Sequence, residues 1–365
     1  MSRPALLAAG AAAALGLAAA AAPATASAAA VRAQPLVDRA PAAGATFKDA
    51  VVDRPSLAVR ARAAQATDAA AEYRTPSGDT VGVQLAPVYG STPAVAQSYV
   101  DFVDSLPHGA ELGELTMRIV PSAEVPTNCG ATQDSGVLAC YLATQDLMIV
   151  PGDELQNAGG GVTTSYVVAH EYGHHVANHR SNSPFSALDF GPKQWASEQD
   201  VCSYTLDGRL APGDEGDAYA ANPGEAWAES YAQLKYPTVA WSFTSLLEPT
   251  TLSQAAAQKD VAAPWTQSRK RAFTGRLTSA RTSRTHTLKL RLDGKLTFRL
   301  TGPRGSDFDL AVTSDGKRQG TTKARGSRDA LSFGAACVTE PESVKVTVTR
   351  RTGSGSYRLA VTYAG

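Results

Sequence analysis

The stretch that decides the fold is VVAHEYGHHV, residues 167–176. It contains His-Glu-x-x-His, in which His170 and His174 are four residues apart. On a helix this spacing places both imidazoles on one face, one turn apart, where they can bind the same Zn²⁺ ion. Glu171 follows the first histidine, where its carboxylate could take a proton from a metal-activated water. The apolar flanks are typical of a buried helix, which we expect to end near Asn178. The alternative is a pair of structural histidines.

A catalytic zinc site needs three protein ligands and one open position. Six residues after His174 the chain has Arg180, and Ala177 stands three residues before that arginine. The metzincin pattern requires a histidine and a glycine at these two positions and is therefore excluded. His175 and His179 lie about 100° around the helix from the main pair. We expect solvated side chains there, or at most a separate, weaker site.

A third ligand is offered by NPGEAWAESY, residues 222–231. Asn222 is a good N-cap and Pro223 suits the first helical position, so a helix is predicted to begin here. Glu225 and Glu229 then lie one turn apart on one face, where like charges repel unless a cation is near. The other interpretation is an ordinary acidic helix start, which the helix dipole favours.

Taken together, the His170-Glu171-x-x-His174 motif and the Glu225-x-x-x-Glu229 pattern resemble the gluzincin metallopeptidases. The resemblance covers roughly residues 140–235. It implies that His170, His174 and Glu225 bind one zinc ion, and that Glu171 is the general base. It also implies that Glu229 hydrogen-bonds a ligand histidine and so fixes its tautomer.

The Glu-Ala-Trp-Ala-Glu pattern is also similar to that of anthrax-lethal-factor-like gluzincins, in which a tyrosine before the third ligand stabilises the oxyanion. Tyr219, six residues before Glu225, is the nearest match, and Tyr231 is the alternative. The interval from His174 to Glu225, 51 residues, is long for compact members. It includes the acidic stretch DEGD, residues 214–217, which could bind Ca²⁺, although a solvated loop is the interpretation we favour.

The N-terminus has the features of a signal peptide, residues 1–28. Ser2-Arg3 is a short basic start, residues 6–22 are an apolar run, and small residues at 24–28 offer cleavage sites. We therefore expect a secreted protein, extracellular or associated with the cell wall. No later stretch reaches about 18 apolar residues, so no membrane span is expected. Residues 29–70, rich in Ala, Arg and Pro with Phe47 as their one aromatic residue, indicate a propeptide or a disordered linker.

Four cysteines agree with an oxidising compartment. Cys129 and Cys140 are 11 residues apart around a turn-like segment, so their disulfide closes the shortest loop. The remaining disulfide, Cys202–Cys337, would link the C-terminal region to the catalytic one. A four-thiolate zinc site is disfavoured because the chain has no Cys-x-x-Cys pair.

Before the motif helix, the patterns predict strands at residues 80–86, 115–120, 137–142 and 147–150, the last two as a hairpin. A helix is predicted to open at Thr92-Pro93. The hairpin could offer a free edge to an extended peptide, or be a mere sheet edge. With the gluzincin resemblance, these elements imply an α+β zincin-like catalytic domain at residues 71–264.

From about Phe273 the pattern becomes alternating, which predicts a small all-β sandwich domain at residues 272–365. A hairpin is predicted across Asp293-Gly294, and residues 344–348 are predicted to pair with residues 357–363 across residues 353–355. Between them, alternating apolar residues at 308–312 are followed by a turn-like Asp315-Gly316. The segments LTFRLTGP (296–303), DFDL (307–310) and GSYRL (355–359) resemble the bacterial pre-peptidase C-terminal domain. That resemblance implies an accessory role in secretion, folding or substrate adhesion.

The chain of 365 residues has no net charge, but residues 265–365 hold 20 Lys and Arg against 7 Asp and Glu, a net of +13. An arginine-rich surface is the simplest interpretation, and contact with an anionic cell-wall polymer is the alternative. No nucleic acid is expected as a partner. The sequence therefore predicts a secreted zinc endopeptidase acting on a protein or peptide. The alternatives are a surface- or polymer-binding protein with a structural or vestigial metal site, and a zinc amidase acting on cell-wall peptides.

Overall fold

A mixed sheet with helices on it forms the first part of the chain. The computed structural model describes residues 32–42, 44–45, 47–51, 70–155, 161–314, 316–338 and 342–365. The predicted signal peptide lies outside these residues, as do residues 29–31, 43, 46 and 52–69 of the predicted propeptide or linker and Asp315 of the predicted turn. All of these described residues belong to one compact unit.

The sheet has five strands in the order β1-β2-β3-β5-β4. Their bounds are β1 Ala71–Arg74, β2 Thr80–Leu85, β3 Thr116–Val120, β4 Cys140–Leu142 and β5 Leu147–Pro151. The three central strands are parallel, and β1 and β4 pair antiparallel at the two edges. Every residue of β5 is buried, as a strand covered on both faces requires. The predicted strands and the β4–β5 hairpin are confirmed.

Eight α-helices occur in the described ranges. They are α1 Pro93–Asp104, α2 Val125–Asn128, α3 Thr164–Asn178, α4 Ala187–Phe190, α5 Lys193–Glu198, α6 Val201–Leu206, α7 Pro223–Lys235 and α8 Thr251–Ala262. The helices predicted from Pro93, from the His-Glu-x-x-His motif and from Pro223 are confirmed. Thr163 caps α3 and Asn222 caps α7. Among the described helices, none is both long enough and apolar enough to cross a membrane.

Helices α3 and α7 approach closely because glycine leaves room at their contact. A Cβ atom added to Gly173 would lie 2.9 Å from the Cα of Ala228, so any larger residue would push the helices apart. The indole of Trp227 donates to the carbonyl of Gly173 at 2.8 Å, which holds the two helices at this separation. The contact therefore brings the histidines of α3 next to the glutamates of α7.

The C-terminal part of the chain is all β. Its strands are β6 Arg269–Leu277, β7 Ser283–Leu290, β8 Gly294–Thr301, β9 Asp307–Ser314, β10 Lys317–Thr321, β11 Arg328–Ala336, β12 Glu342–Thr352 and β13 Gly355–Tyr363. They form two four-stranded antiparallel sheets, ordered β10-β9-β12-β7 and β11-β8-β13-β6. The inward side chains of both sheets share one apolar core, in which Phe298, Val346 and Leu359 are fully buried.

Two of the predicted hairpins are wrong. Strands β7 and β8, on either side of Asp293-Gly294, belong to different sheets, and so do β12 and β13 around residues 353–355. Alternation shows which side chains face the core, but such strands can face each other across that core as well as pair side by side. Asp293 is buried, and its carboxylate accepts from the amide of Val338 at 2.7 Å, so it joins two of the connections that pass between the sheets.

The β region is attached to the α+β region by buried polar contacts and by a disulfide. The ammonium of Lys193 is buried and donates to the carbonyls of Ser183 at 2.8 Å and Asp293 at 2.9 Å. Burial lowers the pKa of Lys193 to about 8. Both expected disulfides, Cys129–Cys140 and Cys202–Cys337, are present, and the second joins α6 to the end of β11.

We expect Lys193→Met to lower the free energy of unfolding by roughly 1–3 kcal/mol, because the buried carbonyl of Asp293 and the partly buried carbonyl of Ser183 lose their donor while the apolar stem is kept. Denaturant unfolding of the oxidised protein measures this change. Lys259→Met on the exposed side of α8 is the matched control and should unfold like the wild type. Equal midpoints for the two variants would contradict the role given to Lys193.

Candidate metal centre

Four side chains bring their ligand atoms together between α3 and α7. His170, His174, Glu225 and Asp49 are all buried, and one ligand atom from each lies within 4.8 Å of the others. The Oε2 atom of Glu225 is 3.3 Å from Nε2 of His170 and 3.4 Å from Nε2 of His174. The structure therefore assembles the three predicted ligands and adds a fourth residue, Asp49, which the sequence did not indicate.

The donor set fits a divalent metal ion. Two imidazoles with one or two carboxylates are a combination that zinc binds in proteins. Burial alone would lower the pKa of His170, but the carboxylates of Asp49, Glu225 and Glu229 outweigh it and hold that pKa well above its usual value. For His174, the carboxylates of Glu225 and Asp49 likewise outweigh burial and raise the pKa to about 10. The site thus attracts positive charge, which a metal ion would supply.

Glu171 is not one of the four residues of this group, but its charge interacts with theirs. Its side chain is fully buried, and neither carboxylate oxygen has a hydrogen-bond partner among the described residues. Burial raises the pKa of Glu171 well above its usual value, and the charge of Asp49 raises it further. A buried carboxyl group without partners is costly. Its position is therefore better explained by a reactant or ligand than by packing.

Glu229 supports the first histidine from one turn further along α7. Its Oε2 atom lies 3.3 Å from Nδ1 of His170, and its Oε1 atom accepts a short hydrogen bond from the hydroxyl of Tyr166. This leaves Nε2 of His170 to face the metal group. The arrangement is a carboxylate–histidine pair of the kind that orients metal ligands.

Of the two tyrosines that could stabilise an oxyanion, only Tyr219 is at the site. Its hydroxyl lies 3.1 Å from Oε2 of Glu225 and donates a short hydrogen bond to Oδ1 of Asp49. The hydroxyl of Tyr231 instead donates to the carbonyl of Pro107. Tyr231 therefore has a structural contact away from the ligand group.

Asp49 comes from the N-terminal segment, which we define as the described residues between 32 and 51. Its composition indicated that it could bury little, yet Ala45 and Asp49 are each 1% exposed. The reason is that the segment docks by backbone hydrogen bonds, which composition does not reveal. One available signal was Phe47, whose ring packs edge-on against that of His170 at 5.0 Å.

A second group, Asp146, His175 and His179, also places ligand atoms within 4.8 Å of one another. We expected solvated histidines here, but His175 is buried. Its Nε2 atom is 2.8 Å from the carbonyl of Glu111, and burial lowers its pKa to about 4. Nε2 of His179 is 2.8 Å from Oδ1 of Asp146. These hydrogen bonds account for the group without a metal.

The acidic stretch at residues 214–217 does not converge on a calcium-like cage. The carboxylate of Asp214 accepts from the amides of Gly216 at 2.8 Å and Ala218 at 3.1 Å, so it stabilises its own turn. Glu215 turns inward, where its Oε2 atom is 3.4 Å from the amide nitrogen of Val51. Burial raises the pKa of Glu215 to about 9. Neither belongs to a metal-binding group among the described residues.

Comparisons with known proteins give little similarity. No family model matches the chain, and no curated protein matches it. Among solved structures, the pre-peptidase C-terminal domain of a collagenase from Bacillus anthracis aligns with a TM-score of 0.22 and 16% identity, over 25% of this chain and 88% of that one. This weak likeness is to the family that the β region resembles in sequence.

Two further structures align at a similar level. Dimeric latent PorU from Porphyromonas gingivalis has a TM-score of 0.18 and 11% identity, over 28% of this chain and 13% of that one. The infectious bursal disease virus Gx strain gives a TM-score of 0.17 and 15% identity, over 28% and 34% of the two chains. Such low scores support no conclusion about function, and the gluzincin assignment stays a prediction from the motif.

We expect Glu229→Gln to weaken zinc binding roughly 10-fold or more, because it removes the charge that makes His170 a better ligand while keeping the side-chain shape. Competition with a chromophoric chelator measures the affinity. The matched control is Glu114→Gln, which removes the same charge at an exposed position and should bind zinc like the wild type. If the two variants bind zinc equally, Glu229 does not support the metal site.

Proposed function

We propose that this protein is a secreted zinc-dependent endopeptidase. The observation that carries the proposal is Glu171, a buried carboxyl group without a hydrogen-bond partner in the described structure, whose charge interacts with those of His170, His174 and Glu225. A purely structural metal site has no use for such a group. Export is supported by the leader-like N-terminal sequence and by the two disulfides.

In this proposal His170, His174 and Glu225 would hold the zinc ion, which would supply Lewis-acid activation of the scissile carbonyl and of the attacking water. Glu171 would accept a proton from the attacking water and would pass it to the leaving amine. Glu229 keeps the His170 ring in the orientation and tautomer that ligation needs. Tyr219 donates a hydrogen bond to the negative charge that develops on the carbonyl oxygen.

The substrate would bind as an extended strand on β4. This strand lies at the edge of the five-stranded sheet, and on this edge the amides of Leu138 and Tyr141 donate to the carbonyls of Lys48 and Ala50 and not to a strand of the sheet. Addition of a strand to such an edge gives main-chain hydrogen bonds that do not depend on side chains. This mode of binding suits an enzyme that acts on unfolded or extended protein segments.

One observation favours a second candidate, a surface-binding protein with a structural metal site. Asp49 gives the group a fourth protein ligand, and structural zinc sites are closed by four such ligands. In that case the basic β region would provide binding to an anionic polymer. The two candidates differ in whether the group supports hydrolysis once Asp49 is removed.

The test therefore uses the full chain carrying Asp49→Ala. We expect this variant to hydrolyse casein, to lose activity with 1,10-phenanthroline and to regain it with added Zn²⁺. Adding Glu171→Gln should reduce the rate by roughly 10²–10⁴-fold, because the proton acceptor is lost while the ligands remain. The exposed Glu198→Gln in the same background is the control. Unchanged hydrolysis by the Glu171→Gln chain, with zinc still bound, would contradict the proposal.

A further inference from the structure

The N-terminal segment lies on the edge where a substrate strand would bind. Residues 48–51 run parallel to the chain at β4, with bridges from Lys48 to Val137 and from Val51 to Tyr141. The amide of Leu138 donates to the carbonyl of Lys48 at 2.9 Å, and the amide of Tyr141 to that of Ala50 at 3.2 Å. An extended peptide cannot pair with these amides while the segment is in place.

The alternation of an extended strand directs the side chains of this segment to opposite sides. Lys48 is exposed, whereas Asp49 is buried. The Oδ2 atom of Asp49 is 3.2 Å from Nε2 of His174 and 3.4 Å from Nε2 of His170. Asp49 therefore presents its carboxylate to the same two nitrogen atoms that Glu225 faces.

The other carboxylate oxygen of Asp49 accepts a hydrogen bond from the hydroxyl of Tyr219. One oxygen thus faces the ligand nitrogens and the second faces the phenol that would stabilise an oxyanion. In peptide hydrolysis, the two oxygens of the tetrahedral intermediate would need the same two neighbours, the metal-ligand group and the phenol. Asp49 consequently occupies the place of the reacting group as well as that of a ligand.

Further contacts anchor the start of the segment on α1, α3 and α7. The amide of Leu36 donates to Oγ of Ser98 at 2.8 Å, and the hydroxyl of Thr163 donates to the carbonyl of Arg39 at 2.7 Å. The carboxylate of Asp38 is 2.8 Å from Nζ of Lys235. These are hydrogen bonds and an ion pair, and the apolar side chains of Leu36, Phe47 and Val51 also pack, partly buried, against the core of the α+β region.

We propose that Asp49 is a displaceable fourth ligand of the metal, carried by a segment that occupies the substrate edge and holds the enzyme latent. The proposal rests on the proposed peptidase function of the same site. The segment is not one of the five strands of the described sheet. Release of the segment would open both the fourth ligand position and the edge of β4.

The test compares three full chains, loaded with Co²⁺ in place of zinc: wild type, Asp49→Ala and Lys48→Ala. Lys48→Ala is the matched control, because it changes the neighbouring exposed side chain and leaves the backbone pairing intact. Visible absorption is followed while azide is added as a small probe ligand. We expect Asp49→Ala to bind azide at least ~10-fold more tightly than wild type, since an occupied position lowers apparent affinity. Lys48→Ala should match wild type.

Casein hydrolysis by the zinc-loaded chains is measured alongside. We expect Asp49→Ala to hydrolyse casein faster than wild type, and Lys48→Ala to hydrolyse it at the wild-type rate. Equal azide affinities in all three chains, at equal cobalt content, would overturn the fourth-ligand proposal, and equal casein rates would overturn latency while leaving the peptidase intact. If azide discriminates but none of the chains hydrolyses casein, the ligand assignment stands and the proposed peptidase function fails. If Asp49→Ala does not fold, Asp49→Asn replaces it, because asparagine keeps the side-chain shape. We again expect tighter azide binding and faster casein hydrolysis than in the wild type.

Discussion

The site depends on how closely two helices can approach. The carboxylates on α7 reach the imidazoles on α3 only because Gly173 allows the backbone at Ala228 to lie against it. The hydrogen bond from Trp227 to the carbonyl of Gly173 fixes that separation. With helix axes set in this way, residues one turn apart on each helix face one another in pairs. Glu225 lies next to Nε2 of both histidines, and Glu229 lies next to Nδ1 of His170.

The close approach also concentrates buried negative charge. Asp49, Glu171, Glu225 and Glu229 are all almost fully buried around two histidines. Burying several carboxylates together is costly unless they are paired with positive charge. The raised pKa values of both histidines are one response to this imbalance, and a divalent cation is a stronger one. The buried carboxylates therefore lower the stability of the fold, and binding of a metal ion would offset this cost.

Local sequence patterns were enough to predict the helices that carry the site, because each places its polar residues at helical spacing next to a recognisable cap. His170, His174, Glu225 and Glu229 could be named for this reason. Asp49 could not, since it is 125 residues from His174 in an Ala- and Arg-rich segment whose docking uses backbone hydrogen bonds. A similar limit applies to the β region. Alternation predicted its strands, but the choice between side-by-side pairing and facing across the core depends on the connections.

Lys193 shows a third kind of limit. In the sequence it is an ordinary charged residue after a proline, yet in the structure it is buried between two carbonyls and lies 4.9 Å from the ring centroid of Trp265. Its role exists only once the β region is docked. Long-range polar contacts of this kind carry no periodicity, and a single sequence therefore does not reveal them.

The central claim is that His170, His174 and Glu225 bind one metal ion. X-ray absorption spectroscopy of the full chain loaded with one equivalent of zinc tests it most directly. The structure predicts a zinc environment with imidazole scattering from two histidines, oxygen donors in the remaining positions and no sulfur. In the His174→Ala variant, a fall of the imidazole scattering from two rings to one would agree with this assignment. A zinc spectrum with sulfur ligands, or one unchanged in that variant, would contradict it.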